Sequence, residues 1–314
     1  MHRVAEALVK AECALGLDSS LGDAADRSSW PPHLDADIHV CHTHFPDELI
    51  HLIAPKGKAR LVWVGHGTPD HVFQSAVQEY EHQNYGHGDP VMLFQHWLKT
   101  ADARVTFWDR HAWIYDQMIT KGARKTDCIP MGVDLAFWKE GVTAGKFAGE
   151  PSVFTAENPH FIKWPYDLLT AWGDVTKESR AARLHAIYLP RDMHRAFFPW
   201  FNAMDAMFTT YASPMVGTSE WLRNAFQSTD YTVGLVRYGD LNHLSLQANA
   251  AGATTISYPG NPHADHWIAE GDQRGIAREL IEIFKGDRMP RKKTPVSDVS
   301  ETAKAMLNIY HSIL

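Results

Sequence analysis

Apolar and polar positions follow two different periods along this chain. Short apolar runs such as "ADIHVCHTH" (36–44) and "ARLVWVGHG" (59–67) predict buried strands, whereas "YDLLTAWGDVTKES" (166–179) has the spacing of an amphipathic helix. Strand and helix patterns alternate through most of the sequence, and this order favours parallel sheets covered by helices. We therefore expect an α/β protein.

The alternation occurs in two series, separated by the Gly- and Lys-containing stretch "KEGVTAGKFAGEP" (139–151), which is the predicted linker. A chain of 314 residues also suits two domains of about 150 residues each. We expect domains at 1–143, completed by 298–314, and at 150–290. A doubly wound domain normally opens with a strand, but this chain opens with a helical pattern. We therefore expect either that the first domain lacks its first strand or that the true start lies upstream of Met1.

Composition narrows the class of protein. Hydrophobic residues make up 45% of the chain and charged residues 21%, and the net charge is -7, which argues against non-specific coating of nucleic acid. No apolar run approaches the roughly 20 residues of a membrane span. Three cysteines are too few for a disulfide framework. These features predict a globular cytoplasmic protein.

The most informative stretch is "GDLNHLSLQANAAGATTISYPGN" (239–261). It predicts a helix from near Asn242 to Gly252, followed by a strand at 254–258. The apolar positions of this helix are Leu241, Leu244, Ala248 and Ala251. A helix N-terminus at the end of a strand favours phosphate through its unpaired N–H groups and its dipole. The alternative is a well-packed surface helix without a ligand.

Four stretches carry a resemblance to a known family. They are "LVWVGHGTP" (61–69), "CIPMGVDLAFW" (128–138), "VFTAENPHFIKWPYDLLTAW" (153–172) and "YTVGLVRYGDLNHLSLQANAAGATTISYPGNPHADHWI" (231–268). Together they resemble GT-B glycosyltransferases, particularly the retaining enzymes of glycosyltransferase family 4. The resemblance implies two Rossmann-like domains facing each other across a cleft, with the C-terminal helix crossing back to the first domain.

The resemblance also implies a function. The second domain would bind a nucleotide sugar, with a UDP-sugar most expected, and the first domain a hydroxyl acceptor. Transfer would proceed with retention and without a metal or another cofactor. The two implied catalytic residues are Lys163, which stabilises charge on the leaving diphosphate, and His66, which contacts the sugar or the acceptor hydroxyl.

The sequence departs from the family's E-x7-E motif and from its Arg–Lys pair. The second glutamate falls on Gln247, whose amide can still accept from a ribose hydroxyl. The first falls on Gly239, and Asp240 beside it could substitute. Arg191 or Arg195 could supply the missing arginine. The donor-binding residues implied by the resemblance are Asn158, Lys163, Arg191, Val216, Asp240, Asn242, His243, Leu244 and Gln247.

Two alternatives stay open at this point. One is a phage-type DNA glycosyltransferase that acts on a hydroxymethylated pyrimidine base. The other is an inactive nucleotide- or sugar-binding protein with the same fold. The "CHTH" stretch (41–44) has the residue types of a zinc site, but strand alternation separates Cys41 from His42, so structural or sugar-cleft roles are favoured. The stretch "RMPRKKTP" (288–295) is interpreted as a solvated connection to the last helix.

Overall fold

The structure is a computed structural model, in which the chain forms two compact units. The first unit comprises residues 1–134 and 297–314, and the second comprises residues 135–296. The residues that the structure describes are 2–22, 28, 35–42, 59–66, 95–96, 98–119, 123–141, 145–156, 166–187, 208–210, 218–236 and 243–314.

The first unit contains a parallel sheet whose described strands run in sequence order, β1-β2-β3-β4. Its elements up to the unit boundary are α1 (His2–Ala14), β1 (Ile38–His42), β2 (Arg60–Gly65), β3 (Ala103–Thr106), α2 (Asp109–Met118), β4 (Asp127–Cys128) and β5 (Gly132–Val133). Val62, Val64 and Val105 are fully or almost fully buried, as expected for strands covered on both faces.

The second unit is a doubly wound α/β unit. Its elements are α3 (Leu135–Lys139), β6 (Ser152–Thr155), α4 (Tyr166–Glu178), β7 (Arg183–Ala186), β8 (Phe208–Thr210), α5 (Ser219–Ser228), β9 (Tyr231–Gly234), α6 (His243–Ala250), β10 (Thr254–Ser257), β11 (His266–Trp267) and α7 (Gln273–Phe284). The six strands that the structure describes in this unit are all parallel, in the order β8-β7-β6-β9-β10-β11. Numbered from β6, this is the 3-2-1-4-5-6 order of a Rossmann fold.

The core of the second unit lies between its sheet and the helices α4 and α7. Leu168 and Trp172 on α4, with Leu280 on α7, are at most 1% exposed and pack against Val153 and Ile256 of the sheet. The helix pattern predicted at 166–179 therefore has its apolar stripe on the sheet, as the periodicity indicated. The α/β fold class with parallel sheets is confirmed.

Helix α6 and strand β10 match the elements predicted from the 239–261 stretch. The helix ends in a Schellman motif, because Gly252 has a φ of 89° and the N–H of Ala253 donates to the carbonyl of Ala248. The buried face matches the predicted one only in part. The predicted Ala248 is fully buried, but so is Leu246, which was not predicted, and the predicted Leu244 and Ala251 are half-buried. Contacts with α3 and α5, as well as with β9 and β10, bury more than one side of this helix.

The C-terminal segment completes the first unit. It consists of β12 (Ser297–Asp298) and α8 (Val299–Ile313), and β12 pairs in parallel with β5. Helix α8 packs on α1, where the buried Tyr310 hydroxyl donates to the Glu12 carboxylate at 2.7 Å. Burial raises the pKa of Glu12, and the hydrogen bond from Tyr310 acts in the opposite direction. The C-terminal helix thus belongs to the first unit.

The boundary between the units falls earlier than the linker expected at 139–151. Helix α3 is part of the second unit because it is held on α5. The Arg223 guanidinium donates to the carbonyl of Phe137 at 2.8 Å and lies 4.4 Å from the centre of its ring. Trp138 and Phe226 add a ring contact at 5.8 Å. The stretch at 139–151 is therefore an internal connection of the second unit.

The basic stretch at 288–295 is not a simple solvated connection. The guanidinium carbon of Arg291 lies 3.5 Å from the centre of the Trp267 ring. The backbone N–H of Arg291 donates to the backbone carbonyl of Asp265 at 2.8 Å. Lys293 forms an ion pair with Asp265 at 2.7 Å. These contacts fix the return segment to the second unit before the chain re-enters the first.

Within the described part of the chain, no helix is both long enough and apolar enough to cross a membrane.

Candidate active site

The second unit has a topological switch point between β6 and β9. From β6 the chain proceeds outward to β7 and β8, and after β9 it proceeds in the opposite direction to β10 and β11. In open α/β sheets, ligands bind at the carboxyl ends of the strands on either side of such a point. The two segments that leave these ends are 156–165, which precedes α4, and 235–242, which precedes α6.

The predicted donor-binding residues belong largely to these two segments and to the start of α6. His243, Leu244 and Gln247 lie in the first two turns of α6, and all three are half-buried. The side chain of Gln247 makes no hydrogen bond to another described residue. The remaining predicted positions, which lie outside the described residues, are Asn158, Lys163, Arg191, Val216, Asp240 and Asn242. Their placement remains a prediction.

A partly buried hydrogen bond crosses the carboxyl edge of this sheet. Tyr258, which directly follows β10, is 2% exposed, and its hydroxyl donates to the Asp167 carboxylate at 2.6 Å. Asp167 lies in the first turn of α4, four residues after Lys163. The bond therefore links the start of α4 to the end of β10, which lies two strands away from β6 in the sheet.

In the first unit, two histidines meet at the carboxyl ends of adjacent strands. His42 ends β1 and is paired in register with Val64, while His66 directly follows β2. Because side chains alternate along a strand, Val64 and His66 point to the same face, which is also the face of His42. Nδ1 of His42 lies 2.5 Å from Nε2 of His66.

The His66 ring also contacts Phe107, which directly follows β3, at a centroid distance of 5.1 Å. Three consecutive strand ends thus contribute His42, His66 and Phe107 to one cluster. Burial lowers the pKa of His42 to about 4, so this imidazole is neutral at physiological pH. The cluster thus combines the neutral imidazole of His42 and the apolar ring of Phe107 with the ring nitrogens of His66.

The "CHTH" stretch does not provide a metal site in the described residues. Cys41 is buried, and burial raises the pKa of its thiol to about 12, which disfavours the thiolate that a zinc site needs. Among the described residues, histidine, cysteine and carboxylate side chains do not gather in threes around a possible ion position. A metal-free reaction remains a prediction from the resemblance.

A surface depression of about 790 Å³ lies at the opposite edge of the second unit's sheet. It is lined by residues near the amino ends of β6 and β9, including Phe147, Tyr231 and Phe284. Ligands of open α/β sheets bind at the carboxyl ends, so this depression is on the wrong edge for the donor site. Its contacts, such as the Tyr231–Phe284 ring pair, belong to the packing of the unit.

Solved structures that are similar to this chain include several glycosyltransferases. Sucrose-phosphate synthase from Thermosynechococcus elongatus matches with a TM-score of 0.64 and 12% identity, over 91% of this chain and 76% of that one. Trehalose-6-phosphate synthase OtsA matches with a TM-score of 0.62 and 11% identity, over 91% and 75%. The pneumococcal O-GlcNAc transferase GtfA, solved with UDP and GlcNAc, matches with a TM-score of 0.56 and 12% identity, over 88% and 56%.

The chain therefore has the GT-B fold. It spans little more than half the length of GtfA, with 56% of that chain covered. Neither the protein-family models nor the curated protein sequences match this chain. At these identities the similarity defines the fold, and the membership of glycosyltransferase family 4 expected from the motifs stays a prediction.

Two contacts at the carboxyl edges of the two sheets were not predicted from the sequence: the one between His42 and His66 and the one between Tyr258 and Asp167. His42 carried a signal, because it stands at the end of a predicted strand that precedes the His66 strand, but a sequence does not state which strands are neighbours. The Tyr258–Asp167 bond joins residues 91 positions apart and had no local signal.

Proposed function

We propose that this protein transfers a sugar from a nucleotide-sugar donor to a hydroxyl acceptor. The observation that carries the proposal is the switch point between β6 and β9, whose outgoing segments contain Lys163 and lead to the N-terminus of α6. The GT-B fold and the UDP present in the GtfA structure support this proposal.

In this mechanism the bond between the anomeric carbon and the diphosphate oxygen breaks, a bond to the acceptor oxygen forms, and the proton of the acceptor hydroxyl passes to the leaving diphosphate. The leaving diphosphate gains negative charge, which Lys163 and the first amides of α6 would stabilise. The other donor-binding residues, proposed on the resemblance alone, are Asn158, Arg191, Val216 and Asp240. Gln247 would accept from the ribose. Transfer with retention and without a metal belongs to the same proposal.

The first unit would hold the acceptor, with His66 at its strand edge. His66 is suited to accept a hydrogen bond from a sugar or acceptor hydroxyl, because an imidazole nitrogen accepts when it carries no proton. The surrounding Phe107 and the neutral His42 favour an uncharged hydroxylated ligand at this edge.

A ligand screen followed by a turnover assay tests the proposal. A nucleotide sugar present at 100 times its Kd should stabilise the protein by about 2.7 kcal/mol, visible as a rise in Tm. Release of the free nucleotide should follow when an acceptor hydroxyl is added. Binding without turnover across a range of acceptors would identify a binding protein, and turnover that requires hydroxymethylated DNA would identify a DNA glycosyltransferase.

A further inference from the structure

The His42–His66 contact has the geometry of a hydrogen bond between ring edges. Nδ1 of His42 and Nε2 of His66 are 2.5 Å apart, and the ring centroids are 4.7 Å apart with an interplanar angle of 27°. The centroid distance exceeds the nitrogen–nitrogen distance by about two ring radii, so the two nitrogens lie nearly on the line between the ring centres. Face-to-face stacking would not give this difference.

A nitrogen–nitrogen hydrogen bond needs one proton between the two rings. A neutral imidazole has one N–H and one acceptor nitrogen, so two neutral rings can share a bond only if one donates and the other accepts. His42 is neutral because burial lowers its pKa to about 4. If both rings carry their proton on Nε2, the Nε2–H of His66 donates to the lone pair on Nδ1 of His42.

This arrangement fixes which atom of His66 can act on a ligand. Its Nε2 is engaged by His42, so a contact with substrate has to use Nδ1. In the arrangement above, Nδ1 of His66 carries a lone pair and accepts a hydrogen bond. Phe107 contacts the same ring at 5.1 Å, so the ring is held from two neighbouring strand ends.

We propose that His42 is a positioning residue: it accepts the Nε2 proton of His66 and thereby presents Nδ1 of His66 as the hydrogen-bond acceptor for a sugar or acceptor hydroxyl. The role in transfer rests on the function proposed above. The hydrogen bond and the tautomer do not, because they are properties of the free protein.

The tautomer can be measured without any substrate. In protein labelled with 15N-histidine, we expect scalar coupling between Nδ1 of His42 and Nε2 of His66, with the shared proton on Nε2 of His66. The variants His42→Asn and His66→Gln assign the two signals among the nineteen histidines. Absence of the coupling, or a proton on Nδ1 of His66, would overturn the proposal even in an active enzyme.

Two substitutions of His42 separate positioning from general support of the fold. His42→Phe removes the acceptor, and turnover of UDP-glucose should fall roughly 10-fold to 100-fold, since small displacements of a reacting group have effects of this size. His42→Asn places an amide oxygen near the position of Nδ1 and should restore most of the activity. Both variants should keep the wild-type Tm and affinity for UDP. Equal loss in the two variants would contradict the positioning role.

Two substitutions of His66 test which nitrogen contacts the ligand. His66→Gln places its amide near the Nε2 position and keeps the bond to His42, whereas His66→Asn places its amide near the Nδ1 position. Transfer should therefore be lower in His66→Gln than in His66→Asn. The reverse order would show that Nε2 is the contacting atom and would overturn the proposal. If the wild-type protein turns over no nucleotide sugar, the proposed function fails, and the coupling measurement still decides whether His42 holds His66.

Discussion

The hydroxyl of Tyr258 donates a hydrogen bond of 2.6 Å to the carboxylate of Asp167, across the carboxyl edge of the second unit's sheet. Tyr258 follows β10 and Asp167 lies in the first turn of α4, so the bond passes over the end of β9, which lies between β10 and β6. The segment from 156 to 165, which contains Lys163, ends where α4 begins. The bond thus anchors one end of the segment proposed to bind the diphosphate.

Removing this hydroxyl should affect both stability and nucleotide binding. Tyr258→Phe should lower the free energy of unfolding by about 1–2 kcal/mol, because the hydrogen bond to the half-buried carboxylate of Asp167 is lost. The affinity for UDP should fall as well, since the start of α4 is less firmly held. Urea unfolding and calorimetric titration measure the two effects. Tyr231→Phe is the matched control, as its hydroxyl bonds no other described residue; similar effects in both variants would contradict the anchoring role.

The pairing of β5 with β12 depends on a glycine. A Cβ on Gly132 would lie 2.4 Å from the backbone oxygen of Asp298 and 2.7 Å from the Cα of Val299. Both are backbone atoms, one in the partner strand β12 and one in the first residue of α8, so they cannot move aside as a side chain can. Gly132→Ala should therefore destabilise the protein by about 1–3 kcal/mol, in the range of overpacked sites.

Gly173 provides the control for this substitution. It lies within α4, and a Cβ there would meet no atom within 4 Å. Gly173→Ala should raise the free energy of unfolding by about 0.5–1 kcal/mol, because alanine loses less conformational entropy in a helix than glycine does. Comparable destabilisation by the two substitutions would show that the β5–β12 contact is less tight than its geometry indicates.

Local patterns predicted the elements well because their causes are local. The helix before Gly252 and the strand after it were placed within a residue or two, since periodicity and a helix-ending glycine both act over a few positions. The parallel sheets followed from the alternation of strands and helices. For the same reason, the segments that follow β6 and β9 could be proposed from the sequence as parts of a ligand site.

Contacts between distant parts of the chain could not be predicted in this way. The pairing of Gly132 with Ser297 joins residues 165 positions apart, and no pattern in either segment indicates that they pair. The assignment of α3 to the second unit depends on Arg223, which is more than eighty residues away. The basic residues at 288–293 indicate an exposed segment when the sequence is considered alone. The structure shows that Arg291 and Lys293 contact Trp267 and Asp265.

Acid should destabilise the first unit through His111, which is 5% exposed. Burial lowers its pKa from 6.5 to about 4. Between these two pH values the ring is mostly protonated in the unfolded state and mostly neutral in the folded state, so acid favours unfolding. The stability contributed by the neutral ring is fully present above pH 6.5 and is lost as the pH falls towards 4. For this residue the loss is roughly 3 kcal/mol, from 1.36 kcal/mol per pKa unit.

The variant His111→Leu tests this contribution. Its free energy of unfolding should fall less than that of the wild type between pH 7 and pH 4, by about 2–3 kcal/mol. Urea unfolding at a series of pH values gives the free energy of unfolding of both proteins as a function of pH. The difference between the two curves is the contribution of protonation at His111. Parallel curves for the two proteins would mean that His111 does not couple protonation to unfolding.

Gln247 tests the proposed contact with the ribose. Gln247→Ala should weaken binding of free UDP by about 1 kcal/mol, the usual net value of one hydrogen bond. Gln247→Glu should bind UDP nearly as well, because a carboxylate oxygen also accepts from a hydroxyl. Gln117→Ala, at an exposed glutamine of α2, serves as the control in the calorimetric titration. An affinity that is indifferent to both changes at Gln247 would remove the residue from the donor site.

Lys163 tests the electrostatic part of the mechanism. In the sequence it stands between Thr155, the end of β6, and the start of α4, in one of the two segments that leave the switch point proposed to bind the leaving diphosphate. Lys163→Ala should reduce turnover of UDP-glucose by roughly 100-fold or more, the effect of losing one charge contact in the transition state. UDP affinity should fall less than turnover, because the charge on the diphosphate grows as the sugar leaves. Lys177→Ala, at an exposed lysine of α4 that pairs with Asp174, should leave turnover unchanged. If Lys163→Ala retains the wild-type rate, the diphosphate binds elsewhere and the mechanism proposed for this edge of the sheet is wrong.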